Sequence, residues 1–287
     1  TFNLGEVNYT IYANDTLGAE VNVSSNFTLI SFLGDGTSAN PYQIATWTQL
    51  NNTKLNLTAY YLLISNLSSS DGDYAGFGDN WIPIGNDSAS FTGNFNGSNN
   101  TISDLIINLP GTNYVGLFGF VTGTFTTTKG TVSDVGLINM SVTGSRSTGS
   151  LVGELTQGIV SNSYSIGTVN GTASKAGGLV GYHHGGTISN SYFIGNVISN
   201  SSSVGGLAGS QYTGSITNSH ATGNVSGTSN VGGLVGDGNG AGIFNSYFIG
   251  NVIGSSFSVG GVAGSNYGKI TNSHATGNVS GTSNVGG

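Results

Sequence analysis

Cysteine is absent from this 287-residue chain. That excludes a disulfide framework, thiol nucleophiles and cysteine-based zinc sites. Charge is scarce too: 6% of residues are charged, five are Lys or Arg, and the net charge is −7. Globular domains usually carry about a quarter charged residues. Phosphate backbones need a basic stripe that five cations cannot supply, so nucleic acid is excluded as a partner. No apolar run is long enough to span a bilayer, and no secretory leader or initiator Met is present. The chain starts inside a strand-like run and stops where the next motif residue should be Leu. It reads as an excerpt of a larger protein.

What fills the sequence instead is glycine (50 residues) and a repeat. Units begin at Gly149, Gly177, Gly205, Gly232 and Gly260, with lengths of 28, 28, 27, 28 and 26 residues, and a sixth starts at Gly286. Each carries a Gly-Leu-small-Gly step, a loop, Ile-x-Asn-Ser-aromatic and Gly-x-Val. A fixed period in this range means one supersecondary unit stacked on copies of itself. No helical spacing fits; short alternating runs bent at Gly or Asn read as strands. The expected fold is all-β, a right-handed parallel β-helix of coils of about 27–28 residues.

Stacking turns equivalent positions into columns. One apolar column is Val160, Ile188, Ile216, Ile243 and Ile270; another is Leu151, Leu179, Leu207, Leu234 and Val262. A third is Asn162, Asn190, Asn218, Asn245 and Asn272, where each amide can bond the next at a spacing of about 4.8 Å. Alternation puts Phe193, Val197, Ala221, Val225 and Ser191 inward and Tyr192, His220 and Asn196 outward, with a bend near Asn190. Bulky Val180, Phe193, Val235 and Phe248 alternate with Ala208, Ala221, Ala263 and Ala275, so large layers rest on small ones. Residues 218–233 and 272–287 are identical, as are 190–198 and 245–253, which marks a two-coil duplication.

The steps GGLVG, GGLAG and SLVG, followed by I-x-N-S-Y/H and G-x-V, resemble the GLUG repeats of large bacterial and archaeal surface proteins. Related repeats occur in filamentous-haemagglutinin-like adhesins and beside the catalytic domain of some immunoglobulin-cleaving metallopeptidases. The resemblance implies the fold and a cell-surface, extracellular setting, not an activity. Residues 1–30 resemble the last two strands of an immunoglobulin-like module. The segment 31–114 reads as a capping region with irregular first coils. A short helix within 45–52 turns Trp47 and Leu50 inward, and 115–287 is the solenoid proper. The unit from Val115 holds an insertion near TFTTTKG.

Candidate chemistry is sparse. Asp71, Asp73 and Asp79 form the only carboxylate cluster, a weak match to a calcium loop because its fifth position is Ala75 and its twelfth Ile82. His220 and His274 share a coil position two turns apart, about 10 Å, too far for one metal. His183 and His184 read as loop residues. Glycan-cleaving β-helices need paired acids on neighbouring coils, whereas Glu154 and Asp237 lie three coils apart. No protease, hydrolase or phosphate-loop motif is present. Sequons are frequent: Asn8, Asn14, Asn22, Asn26, Asn51, Asn56, Asn66, Asn86, Asn96, Asn99, Asn139, Asn170, Asn200, Asn224 and Asn278. They favour N-glycosylation. The five column asparagines lack the motif, as inward residues should.

The expectation is therefore a non-catalytic extracellular stalk or adhesin, with no cofactor. The alternatives are a self-assembling filament or sheath subunit, suggested by unpartnered strands at the start and an uncapped last coil, and a glycan-active enzyme. Expected partners are further copies of the chain, neighbouring surface proteins and glycans, with any membrane reached only through segments outside this sequence.

Overall fold

The computed structural model describes residues 6–14, 20–28, 32–77, 81–123, 129–240 and 242–286. Glu6–Asn14 and Glu20–Thr28 pair antiparallel as a two-stranded sheet, with Ile11 opposite Val23. From Tyr42 onward the named strands pair in parallel, each with its equivalent one coil away, in sheets of thirteen, nine and five strands among the described residues. We call these sheets I, II and III. The result is a parallel β-solenoid.

The apolar column on sheet I runs much further than the strict repeats. Register pairs link Tyr42, Tyr61, Phe95, Val132, Val160, Ile188, Ile216, Ile243 and Ile270 in unbroken succession. Stacking therefore extends through the irregular coils before residue 115. Val160, Ile188, Ile216 and Ile243 are fully buried, while Ile270, in the last described coil, is 39% exposed. The Leu151, Leu179, Leu207 and Leu234 column is likewise fully buried. The helix Trp47–Asn52 packs Trp47 and Leu50 into the same core. Its N-terminus is capped by Thr46, whose hydroxyl accepts from the Gln49 amide.

Sheet II shows the expected alternation: Phe193, Val197, Ala221, Val225 and Ser191 are buried, and Asn196 is exposed. Phe193 pairs with Ala221 and Ala221 with Phe248, so large and small layers do alternate. Gly167, Gly195, Gly223, Gly250 and Gly277 form a further column with φ between +132° and +159°. From Gly195 onward, a Cβ at any of them would collide with the carbonyl oxygen of the glycine one level below. The G in G-x-V is thus fixed by close backbone approach.

The asparagine column corrects the sequence reading. Asn162, Asn190, Asn218, Asn245 and Asn272 are exposed, not inward, and turn the corner between sheets I and II at φ of 48–50°. Asparagine tolerates this left-handed conformation better than most residues. The amide ladder itself forms: Asn190 donates to Asn162 (3.1 Å), Asn218 to Asn190 (3.3 Å) and Asn272 to Asn245 (3.2 Å). The inward residue is the serine that follows. Ser191 N–H donates to Ser219 Oγ (3.2 Å), while Ser191 Oγ donates to the Ser189 carbonyl (2.7 Å). Ser163, Ser219 and Ser246 repeat both bonds. The corner N–H groups, buried and diverted from the sheet ladder, are satisfied this way.

Candidate functional site

The outward face of sheet II carries the most ordered array of side chains. Tyr164, Tyr192, His220, Tyr247 and His274 stack one above another, with ring centroids 4.9, 4.8, 4.6 and 5.6 Å apart and interplanar angles of 4°, 11°, 6° and 13°. Parallel strand register imposes the spacing. Because each ring covers its neighbour, the column presents edges rather than faces to solvent. A sugar that stacks on an open aromatic face finds none in the middle of this column. Burial lowers the His220 pKa, and burial followed by the nearby Tyr164 raises that of Tyr192.

Beside the rings lie three more outward columns. The first is Ile166, Ile194, Thr222, Ile249 and Thr276, and the last is Asn170, Ile198, Ser226, Ile253 and Ser280. Between them runs an amide ladder that sequence reading missed. Asn224 donates to Asn196 (3.0 Å), Asn251 to Asn224 (2.9 Å) and Asn278 to Asn251 (3.2 Å). The recurrent G-N-V step was its signal. None of these four columns contains a charged residue at neutral pH.

Charge collects instead on sheet I. Glu154, Tyr182, Ser210 and Asp237 occupy one outward column, so the two acids stand three levels apart. Lys175 Nζ lies 3.2 Å from the centroid of the Tyr182 ring. Burial raises the Glu154 carboxyl while Lys175 and Arg146 pull it down. Burial, then Arg146, lowers Lys175.

Neither His183 nor His184 is a loop residue: both lie in the strand Val180–Ser189, and His183 is fully buried in the shaft, with neither ring nitrogen hydrogen-bonded. It pairs in register with Gln211, whose Oε1 is also buried without a partner. Burial lowers the His183 pKa to about 4, against a smaller opposing pull from the Gly186 and Gly185 backbone.

Asp71 and Asp73 are turned to structural work. Asp71 Oδ2 accepts from Ser68 N–H (2.7 Å), and Asp73 Oδ2 accepts from the Thr48 N–H and hydroxyl (both 2.8 Å) at the start of the helix. Burial pushes Asp73 up, but these bonds outweigh it and its pKa is lowered. Asp79 lies outside the described residues, as does most of the TFTTTKG segment. Among the described residues no three His, Asp or Glu side chains are grouped to hold a metal.

Asn8, Asn14, Asn22 and Asn26 lie on the two N-terminal strands. Asn56, Asn66, Asn86, Asn99, Asn139, Asn170, Asn200, Asn224 and Asn278 are exposed, and Asn51 and Asn96 are half-buried. At Asn56 and Asn86 the side-chain oxygen accepts from backbone N–H groups of the following turn. Asn51 is held by Lys54 (2.6 Å). Asn139 donates to Asp104 (2.8 Å).

A hollow of about 470 Å³ lined by Val259, Val262, Ile270 and Val285 is the cross-section of the core itself at the last described coil. No helix among the described residues is long and apolar enough to cross a membrane.

Comparison with known proteins agrees with this architecture. The GLUG motif is found at residues 172–198, 200–226 and 255–280. The first two of these lie on successive levels of the shaft, and the third follows one coil later. It is 35% identical over 146 residues to halomucin of Haloquadratum walsbyi, and 38% identical over 118 residues to a protein described as a Gly-rich membrane protein of Evansella cellulosilytica. These matches cover 49% and 37% of the chain, but only 2% and 14% of the respective relatives. A solved structure from Bacteroides ovatus, described as an immunoglobulin A1 protease, superposes with a TM-score of 0.61, covering 88% of this chain and 86% of that one. At 22% identity that likeness concerns the fold.

Proposed function

We propose that this chain is a rigid, non-catalytic shaft segment of an extracellular cell-surface protein. The observation that carries the reading is the unbroken column from Tyr42 to Ile270, nine levels in register. Eight steps of about 4.8 Å give a rod roughly 40 Å long. Each level adds backbone hydrogen bonds, a buried apolar layer and side-chain ladders, so bending would break many contacts at once. The similarity to halomucin and to a protein described as membranous supports a surface setting. The three-level gap between Glu154 and Asp237, about 14 Å, exceeds the roughly 6.5–9.5 Å of an inverting glycosidase pair and supports a non-catalytic role. The exposed sequons before residue 100 would carry the glycans of a surface glycoprotein.

Small-angle scattering of the monomer, with glycopeptide mass spectrometry of material from the native cell surface, tests the reading. A stiff rod with modified Asn56 and Asn86 is the expected result. A flexible, spherical or exclusively intracellular species would overturn it.

A further inference from the structure

We infer that the outward face of sheet II is a self-complementary surface through which two copies of this chain pair side by side. The inference rests on the shaft reading for the exposure of this face, but reaches beyond it. The face has relief. In one coil the strand presents Tyr192, Ile194 and Ile198; in the next, His220, Thr222 and Ser226; then Tyr247, Ile249 and Ile253; then His274, Thr276 and Ser280. From Tyr192 onward bulky coils alternate with slim ones, so ridges recur about every 9.6 Å, twice the strand spacing, with a trough between each pair; below them Tyr164 and Ile166 widen the first ridge. Ile194, Ile198, Ile249 and Ile253 stand out at 38%, 45%, 46% and 51% exposure. A second copy displaced by one coil offers troughs where this one offers ridges. Few other partners would carry the same period.

Charge points to the same occupant. The chain has a net charge of −7, yet the four columns of this face hold only Tyr, His, Ile, Thr, Ser and Asn. Two copies of an acidic rod approach with least repulsion where both are neutral, and charged residues are depleted from the cores of interfaces generally. Four coils of such a face cover a few hundred Å² per copy, below the roughly 800 Å² of a stable interface. The pairing is therefore weak for a segment of this length. Salt strengthens it by screening the net charge. Asn170, Asn224 and Asn278 are sequons on this face, so glycans there would block it.

Sedimentation equilibrium of the unglycosylated chain, at low and at molar salt, reads the association directly. A monomer–dimer equilibrium shifting at least tenfold toward dimer in high salt is expected. The variant I194T/I198S/I249T/I253S, built from the residues of the chain's own slim coils, should be monomeric with unchanged thermal unfolding. The converse variant T222I/S226I/T276I/S280I separates shape from stickiness. Filled troughs should abolish pairing if ridges must interlock, whereas tighter association of this variant would overturn the inference. So would a wild-type chain that stays monomeric in molar salt. A rod that scatters as a stiff monomer under all conditions would leave the proposed function standing and remove this inference alone.

Discussion

Ala221 is held between two phenylalanines, paired in register with Phe193 one level below and Phe248 one level above. All three side chains are at most 1% exposed. The small residue is what lets two large rings share one narrow shaft without meeting.

Replacing Phe193 by Ala should cost about 3–5 kcal/mol, and Ala221→Phe about 1–3 kcal/mol or more by overpacking. The two sites touch, so the double variant F193A/A221F should lose less than the sum of the singles. Thermal unfolding followed by circular dichroism measures all three. Strict additivity would mean that the layers do not share space.

Gly223→Ala meets a backbone carbonyl, that of Gly195, at φ +132°. Neither a rotamer change nor a side-chain shift can relieve that contact, and a loss of about 3 kcal/mol or more is expected. Gly72→Ala is the control, since nothing lies within 4 Å of the added methyl. It should stay within about 0.5 kcal/mol of wild type. Similar unfolding midpoints for the two variants would contradict the close approach.

At the outer corner, Asn218 contributes both a left-handed backbone and an amide rung. Asn218→Gly keeps the first and loses the second, at about 0.5–1.5 kcal/mol. Asn218→Ala loses both and should cost roughly 1 kcal/mol more. An alanine variant as stable as the glycine variant would show that the dihedral does not matter there.

Stability should depend on pH through His183. Its folded pKa, about 4, lies below the ordinary value of 6.5 because the buried ring resists charging. In the unfolded chain the ring takes up a proton near pH 6.5, so between pH 6.5 and 4 the unfolded state binds more protons. The stabilisation is fully present above pH 6.5, is lost as pH falls toward 4, and is flat below; the whole span amounts to roughly 3 kcal/mol. His183→Gln, which copies the residue one level above, should remove this component from the melting-temperature profile between pH 4 and 6.5. A profile unchanged by the substitution would show that His183 is not the group responsible.

The solenoid was legible because a register error of one residue would turn Ile188, Ile216 and Ile243 outward together, and the repeats forbid that. Phe193 below Ala221 could be read for the same reason. The direction of the asparagines was not, because period two fails at a left-handed corner: alternation from Phe193 turns Ser191 in, but it does not carry across the bend to Asn190, which coordinates place outside. The burial of His183 is hidden because a His-His-Gly-Gly run resembles a loop, while the strand Val180–Ser189 carries on through it with its register shifted between His183 and Thr187. The outward relief of sheet II sits in the same alternation as the interior layers. It emerges only once Ile194 and Ile198 are seen on one side of a strand and Phe193 on the other.

The large-small alternation also constrains how such a chain can change length. Excising residues 205–231, a single turn, would set Phe193 directly beneath Phe248, ring against ring. Excising 205–259 would instead bring Phe193 to Ala275, the same kind of neighbour it has now. The unit of inheritance is thus a couplet of unlike turns, and shafts of this sequence type should lengthen and shorten in even steps.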